Sequence, residues 1–68
     1  MNYRNSYRFK VIVKGEEHYF RYVDDVMAFI QLTIPLDINP YDLRYNIKYL
    51  AENEALRIKR NCMIQRIS

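Results

Sequence analysis

The feature that most constrains the fold is the alternation of apolar and polar residues near the start of the chain. In YRFKVIVK, residues 7 to 14, one side is expected to carry Tyr7, Phe9, Val11 and Val13, and the other Arg8, Lys10, Ile12 and Lys14. A period of two predicts a strand with one buried face. Gly15, Glu16 and Glu17 then predict a turn, and the aromatic segment HYFRYV, residues 18–23, predicts a second strand that completes a hairpin.

The period changes after Asp24 and Asp25, where a helix is expected to begin. Either aspartate could cap it, because its carboxylate can accept hydrogen bonds from the free amide groups of the first turn. The segment VMAFIQLTI, residues 26–34, is predicted to be helical and to end before Pro35. Since this helix is apolar on nearly every side, it is expected either in the core or at a subunit contact.

A second helix is predicted to begin at Asn39 and Pro40. Asparagine is a favourable N-cap, and proline at the first helical position lacks only an amide that would have no partner. With Asp42 in its first turn, the helix is expected to extend to Asn53 or Glu54. Its core stripe would consist of Leu43, Ile47, Leu50 and Ala51.

Residues 55–68 alternate again and are predicted to form a third strand. Its apolar side would carry Leu56, Ile58, Cys62 and Ile64, and its polar side Arg57, Lys59, Asn61, Met63 and Gln65. Arg60 and Arg66 interrupt the apolar side, which indicates a bulge or a frayed end. The pattern predicts an α+β fold, a small three-stranded antiparallel sheet with two helices on one face in the order β-β-α-α-β. One domain is expected over residues 1–68, with a flexible N-terminus at residues 1–6.

Length and cysteine content restrict how such a domain can be stabilised. The chain has 68 residues, one cysteine and one histidine, so an internal disulfide is excluded and no metal-ligand spacing occurs. We therefore expect no metal and no cofactor, and stabilisation by tight packing or by another chain. A single unpaired cysteine fits a reducing compartment, and no stretch is long enough to cross a bilayer, so a cytoplasmic protein without a membrane partner is predicted.

Three tyrosines follow a four-residue spacing on the second predicted helix. At about 100° per residue, the stripe of Tyr41, Tyr45 and Tyr49 lies about 180° from the core stripe. Such tyrosines could simply tolerate water, lie over neighbouring side chains, or indicate that the helix is rotated. They could also contact a second copy or a foreign partner, because tyrosine combines large area with few rotatable bonds. Arg44 and Lys48 flank the stripe and would suit acidic groups on a partner.

The predicted solvent side of the sheet is a second candidate surface. It is expected to carry six cations and a tyrosine, namely Arg8, Lys10, Lys14, Tyr19, Arg21, Arg57 and Lys59, and no acid. These residues could bind phosphates and stack a base, or contact an acidic protein. They could equally be a solvated face that limits edge-to-edge aggregation. No nucleic-acid-binding motif accompanies them.

No catalytic site is expected. Cys62 and His18 would have to meet in space with an orienting acid to form a nucleophile pair, and their spacing matches no local signature. Cys62 lies on the apolar side of its strand, where a packed thiol is the simpler interpretation. The single glycine, Gly15, excludes a glycine-rich phosphate-binding loop.

The segment VIVKGEEHYFRYVDDVMAFI resembles a pattern in small accessory proteins of phages and other mobile elements from AT-rich Gram-positive bacteria. The pattern is a short strand, a glycine turn, an aromatic strand and an acidic cap before an apolar helix. The resemblance covers about residues 9 to 30 and transfers no functional residue. It implies a stoichiometric binder that inhibits a host enzyme or a defence complex, as anti-CRISPR proteins do, or that regulates the DNA of its element.

Charge narrows what an inhibitor of this kind could do. The formal net charge is +3, so the chain is not expected to imitate DNA over its whole surface. It would instead cover an acidic or mixed surface of a host protein or of a protein–nucleic-acid complex. The sequence therefore predicts a small non-catalytic binding protein, and the alternative is a DNA- or RNA-binding regulator that uses the basic face of the sheet.

Overall fold

A computed structural model describes residues 7–34 and 37–68 and shows an α+β fold with two helices and one antiparallel sheet. The elements in chain order are β1 (Phe9–Val13), β2 (Glu16–Phe20), α1 (Val23–Thr33), α2 (Pro40–Lys48), β3 (Ala55–Lys59) and β4 (Cys62–Arg66). The sheet has four strands in the order β2-β1-β4-β3, so the predicted three-stranded sheet and the order β-β-α-α-β are wrong by one strand. The expected flexible N-terminus, residues 1–6, lies outside the described residues.

The first hairpin is tighter than predicted. Its turn consists of Lys14 and Gly15, with φ of 52° and 83°, and Val13 pairs directly with Glu16. A two-residue turn with positive φ at both positions matches the twist of the flanking strands, and glycine adopts such a conformation without strain. Glu16 and Glu17 consequently belong to β2, and the predicted second strand at residues 18–23 begins too late and ends too late.

Helix α1 begins earlier than predicted and is not capped by an aspartate. Its N-cap residue is Tyr22, whose side chain makes no capping hydrogen bond, and Asp24 and Asp25 lie inside the first turn. Their carboxylates still interact favourably with the positive end of the helix dipole. Only one side of the helix is buried, through Val26, Met27 and Ile30. The helix is therefore not fully buried, although its sequence is apolar on nearly every side.

Helix α2 begins as predicted and ends earlier. The Asn39 side chain accepts a hydrogen bond from the Tyr41 amide at 2.8 Å, and Pro40 occupies the first helical position. The helix ends at Lys48, so the predicted end at residue 53 or 54 is wrong. Ala51 is exposed beyond the helix and is not part of the core stripe.

The early end of α2 has a cause that lies far away in the sequence. Arg66 in β4 donates from Nη1 to the Leu50 carbonyl at 3.0 Å, and the Asn53 amide donates to the Arg66 carbonyl at 2.7 Å. Asn53 itself has a φ of 68°, a conformation that asparagine tolerates better than most residues. These two bonds tie the loop to the sheet and use the Leu50 carbonyl and the Asn53 amide, which would bond within the helix if it continued.

The C-terminal segment is a hairpin and not one strand. Arg60 and Asn61 form the turn between β3 and β4, and the Lys14 amide donates to the Asn61 carbonyl at 3.0 Å. A bulge is present, but it lies between Arg57 and Lys59 and not at Arg60 or Arg66. Because β1 and β4 are the two central strands, both ends of the described chain are held together at the middle of the sheet.

The core lies between one face of the sheet and the two helices. The sheet contributes Phe9, Val11, Val13, Cys62 and Ile64, and the helices and the residue just beyond them contribute Val26, Met27, Ile30, Leu43, Ile47 and Leu50. The other face of the sheet is not covered by any described element, and its residues are half-buried or exposed. The outer side of α2 and the uncovered face of the sheet are two of the surfaces that the core leaves open for contact.

Candidate interaction surfaces

The outer side of α2 carries a row of exposed tyrosines. Tyr41 is 82% exposed, and Tyr45 and Tyr49 are each 63% exposed. They follow the helix at every fourth residue, while Leu43 and Ile47 face the core. We call Tyr41, Tyr45 and Tyr49, together with the flanking Arg44 and Lys48, the tyrosine face. The structure thus places all five residues on α2 or at its C-terminal end, with the three rings directed toward solvent.

Two of these rings form an ordered unit. The ring centroids of Tyr45 and Tyr49 are 4.6 Å apart with an interplanar angle of 43°. The Lys48 ammonium lies 5.8 Å from the Tyr49 ring centroid, within cation–π range. Because each ring restricts its neighbour, less conformational entropy remains to be lost when a partner covers the pair.

Arg44 is committed to a contact within the protein. Its guanidinium forms an ion pair with the Asp24 carboxylate in the first turn of α1, and both side chains are more than half exposed. The pair connects the two helices at the surface and partly neutralises the charge of Arg44. Lys48 therefore contributes more of the positive charge that the tyrosine face presents to a partner.

The uncovered face of the sheet brings together only some of the residues predicted for it. Lys10 lies opposite Tyr19 and Gln65, and Arg57 lies opposite Met63, with Ile12 beside Met63 at the centre. We call these residues, with Glu17 opposite Ile12, the open sheet face. Arg8 and Arg21 lie just outside β1 and β2, and Lys14 lies in the hairpin turn.

Lys59 was predicted on this face and is displaced from it by the bulge. It lies opposite Cys62, whose side chain is buried against the helices, whereas Arg57 lies opposite Met63 on the open side. A bulge places two residues opposite one and so breaks the simple alternation of side chains. Lys59 is consequently on the helix side of the sheet, at its edge.

The open sheet face also carries an acid, contrary to the prediction. Glu17 belongs to β2, and its carboxylate lies 3.6 Å from the Lys10 ammonium. The Tyr19 hydroxyl donates to the same carboxylate at 3.1 Å. The tight Lys14–Gly15 turn explains the error, since it moves Glu17 from the expected turn into the strand.

Tyr7 is the residue on this face that the sequence did not reveal. It was expected on the same side as Phe9, Val11 and Val13. Instead its ring packs against Tyr19, with centroids 5.9 Å apart and an interplanar angle of 45°. Tyr7 precedes the first residue of β1, so the alternation of that strand does not govern its side chain. The one signal in the sequence that could have suggested this contact is the tendency of aromatic rings to pack in pairs.

Tyr7 and Tyr19 line an open cleft of about 540 Å³. Lys10 and Ile67 complete its lining. The backbone around the cleft is fixed, because the Ile67 amide donates to the Arg8 carbonyl at 2.8 Å and the Ser68 hydroxyl donates to the Tyr7 carbonyl at 3.1 Å. We call this the sheet cleft. Its lining combines two aromatic rings, the cationic Lys10 and the apolar Ile67.

Cys62 is buried in the core, and His18 packs against a residue of α1. Burial raises the pKa of the Cys62 thiol, which disfavours the nucleophilic thiolate. The His18 ring packs on Phe29 with centroids 4.6 Å apart, and its Nε2 lies 3.7 Å from a Glu16 carboxylate oxygen. Within residues 7–34 and 37–68 there is no group of three or more histidine, cysteine, aspartate or glutamate side chains that could hold a metal ion.

No protein-family model, curated protein or solved structure matches the chain. Neither helix of the described chain has the length and apolar character needed to cross a membrane.

Proposed function

We propose that this chain is a small non-catalytic binding protein that contacts another protein through the tyrosine face. The observation that carries the proposal is the exposure of Tyr41, Tyr45 and Tyr49 on one side of α2, at 82%, 63% and 63%. The opposite side of the same helix already satisfies the core through Leu43 and Ile47. Packing of the core therefore does not account for the tyrosines, and contact with a partner is the role that we propose for them.

The physical chemistry of tyrosine favours such a contact. A buried aromatic side chain removes about 150–250 Å² from water, and interface hot spots are enriched in tyrosine and arginine. The Tyr45–Tyr49 stack presents two such rings already oriented. An ordered aromatic pair on a regular helix offers a partner a large area at a small loss of conformational entropy.

Charge indicates what kind of partner surface would fit. Lys48 lies beside the Tyr49 ring, and Arg44 lies on the α1 side of the row, where Asp24 partly offsets it. A partner with an apolar patch and an acidic rim near Lys48 would complement this arrangement. The chain's net charge of +3 works in the same direction at longer range.

The identity of the partner rests on the resemblance to small accessory proteins of mobile elements. That resemblance favours a host protein or a protein–nucleic-acid complex in the cytoplasm, occluded by this chain as an anti-CRISPR-like or other anti-defence inhibitor. A second copy of the chain is the alternative user of the tyrosine face. Light scattering of the purified protein separates the two, since self-association through this face would be lost in Tyr45→Ala.

The proposal is tested by capture of partners from a bacterial lysate with tagged protein after nuclease treatment. Wild type, Tyr45→Ala and Tyr22→Ala are compared by quantitative mass spectrometry. Tyr22 is 61% exposed at the start of α1 and is a matched control for the loss of an exposed tyrosine. A protein captured by wild type and by Tyr22→Ala, but lost with Tyr45→Ala, supports the tyrosine face. Equal capture by all three chains contradicts it.

A further inference from the structure

The geometry points to a second binding site, in which the sheet cleft holds single-stranded nucleic acid with a base stacked against Tyr7 and Tyr19. This site does not depend on the tyrosine face, because α2 packs on the other side of the sheet. Tyr7 precedes β1 and Tyr19 lies in β2, and the centroids of their rings are 5.9 Å apart. An exposed aromatic pair on an uncovered sheet is the arrangement on which unpaired bases stack without regard to sequence.

Cations lie along the path that the phosphate backbone of a single strand would follow from the sheet cleft. Lys10 lines the cleft itself. At the far end of the face, a second shallow depression of about 220 Å³ is lined by Lys14, Arg57 and Arg60 together with Ile12 and Met63. Within the described residues none of these three cations forms an ion pair with a carboxylate.

The spacing of these groups suits a short single strand. Lys10 lies in β1 and Lys14 is the first residue of the turn that follows it, four residues along the chain, which is about 13 Å at 3.3 Å per residue. The half-buried Ile12 and Met63 lie between them and provide an apolar floor. The ligand would cross the sheet from the tyrosine pair to the two hairpin turns. A rigid duplex keeps its bases stacked and could not place one against Tyr7 and Tyr19.

Glu17 weakens the binding of an anionic ligand at this site. Its carboxylate lies 3.6 Å from Lys10 and accepts from the Tyr19 hydroxyl at 3.1 Å, so it competes with a phosphate for both groups. An exposed ion pair of this kind is weak and can be exchanged for a phosphate contact. Glu17→Gln retains an acceptor for the Tyr19 hydroxyl and removes the charge. It is therefore expected to tighten nucleic-acid binding about threefold.

The experiment is fluorescence anisotropy at low salt with labelled oligo-dT and oligo-U of about 12 nucleotides, a length within the range of small single-strand-binding domains. A duplex of the same length is the comparison. Wild type is expected to bind both single strands and to bind the duplex more weakly. Tyr7→Ala and Tyr19→Ala are each expected to weaken binding about tenfold, and Tyr19→Phe to retain it.

Controls separate this site from general electrostatics and from the loss of any exposed tyrosine. Tyr22→Ala removes an exposed tyrosine at the start of α1, outside both surfaces, and should leave the affinity unchanged. Asp42→Asn makes the same charge change as Glu17→Gln on the helix side and should not tighten binding. Circular dichroism verifies that each variant is folded. If all four cations contact phosphates, log K should fall with log salt at a slope of about −3, and Arg57→Gln should reduce its magnitude by about 0.7.

Three results would overturn the site. One is no detectable binding of either oligonucleotide by wild type at low salt. Another is a loss with Tyr22→Ala as large as that with Tyr7→Ala and Tyr19→Ala. The third is duplex binding as tight as single-strand binding, which would mean that phosphates alone are recognised and no base is stacked.

Discussion

The tyrosine face and the sheet cleft both combine tyrosine rings with cations, and they differ in how the chain builds them. On α2 the rings repeat every fourth residue along one helix, so the helical period alone places them together. In the sheet cleft Tyr7 and Tyr19 come from either side of a hairpin and meet across a strand end. The first arrangement follows from the local sequence alone. The second depends on strand register and on the path of the chain into β1.

The two surfaces also differ in how strongly neighbouring side chains already occupy them. In the sheet cleft Glu17 contacts both Lys10 and the Tyr19 hydroxyl. On the tyrosine face Asp24 occupies only Arg44, and Lys48 lies over a ring. The exposed rings of the helix suit a protein surface, whereas the cations of the sheet suit an anionic ligand that has to displace Glu17. The following variants change residues that support or flank these two surfaces.

The largest effect is expected on the buried side of α2. Leu43→Ala should lower the free energy of unfolding by about 2–5 kcal/mol, because it leaves a cavity between α2 and the sheet. Leu43 is buried in the core cluster, whereas Tyr41 on the opposite side is exposed. Tyr41→Ala is therefore the matched control and should change stability by less than about 0.5 kcal/mol. Chemical denaturation measures both, and similar losses would mean that the tyrosines support the fold.

A smaller effect is expected at the hairpin turns that end the open sheet face. Gly15 has a φ of 83°, and nothing lies within 4 Å of the position its Cβ would take. Gly15→Ala should thus destabilise the protein through backbone strain alone, by about 1–2 kcal/mol. Neither Arg60 nor Asn61 has a positive φ, so Asn61→Ala should cost less than about 0.5 kcal/mol. Thermal unfolding of the two variants compares the turns, and equal shifts would contradict this account of Gly15.

The smallest effect is expected from the ion pair between the helices. Arg44 and Asp24 are both more than half exposed, so Arg44→Ala should lower the free energy of unfolding by at most about 1 kcal/mol. The loss should shrink at high salt, because exposed charges are screened. Denaturation at two salt concentrations measures this, with Lys48→Ala as the control that leaves the pair intact. A loss that persists at high salt would indicate packing by the Arg44 side chain.

The sequence predicted those parts of the fold that depend on local periodicity and turn chemistry. The α+β class, the first hairpin and the start of α2 at Asn39 and Pro40 are confirmed. The split of residues 55–68 into β3 and β4 was missed because a two-residue turn at Arg60 and Asn61 leaves the alternation of apolar residues unbroken across it. Asn61 was the available turn signal, since asparagine is common in turns. The end of α2 was misplaced because Arg66, sixteen residues away, holds the Leu50 carbonyl.

For the candidate surfaces too, the sequence predicted what depends on local spacing and not what depends on contacts between distant segments. Exposure of the tyrosine row could be read from spacing, since a helix of this length buries one stripe. The composition of the open sheet face could not be read in full. One tight turn moved Glu17 onto it, one bulge moved Lys59 away, and the entry into β1 brought Tyr7 against Tyr19. Each of these changes depends on the register between strands, which no single segment encodes.

The central claim is that the tyrosine face binds a protein, and calorimetric titration tests it most directly. The protein captured from the lysate would be purified and titrated with wild type, Tyr45→Ala and Tyr22→Ala. The account predicts that Tyr45→Ala weakens binding by about 2 kcal/mol or more, roughly thirtyfold, while Tyr22→Ala matches wild type. If Tyr45→Ala binds as tightly as wild type, the tyrosine face is not the contact and the claim is wrong.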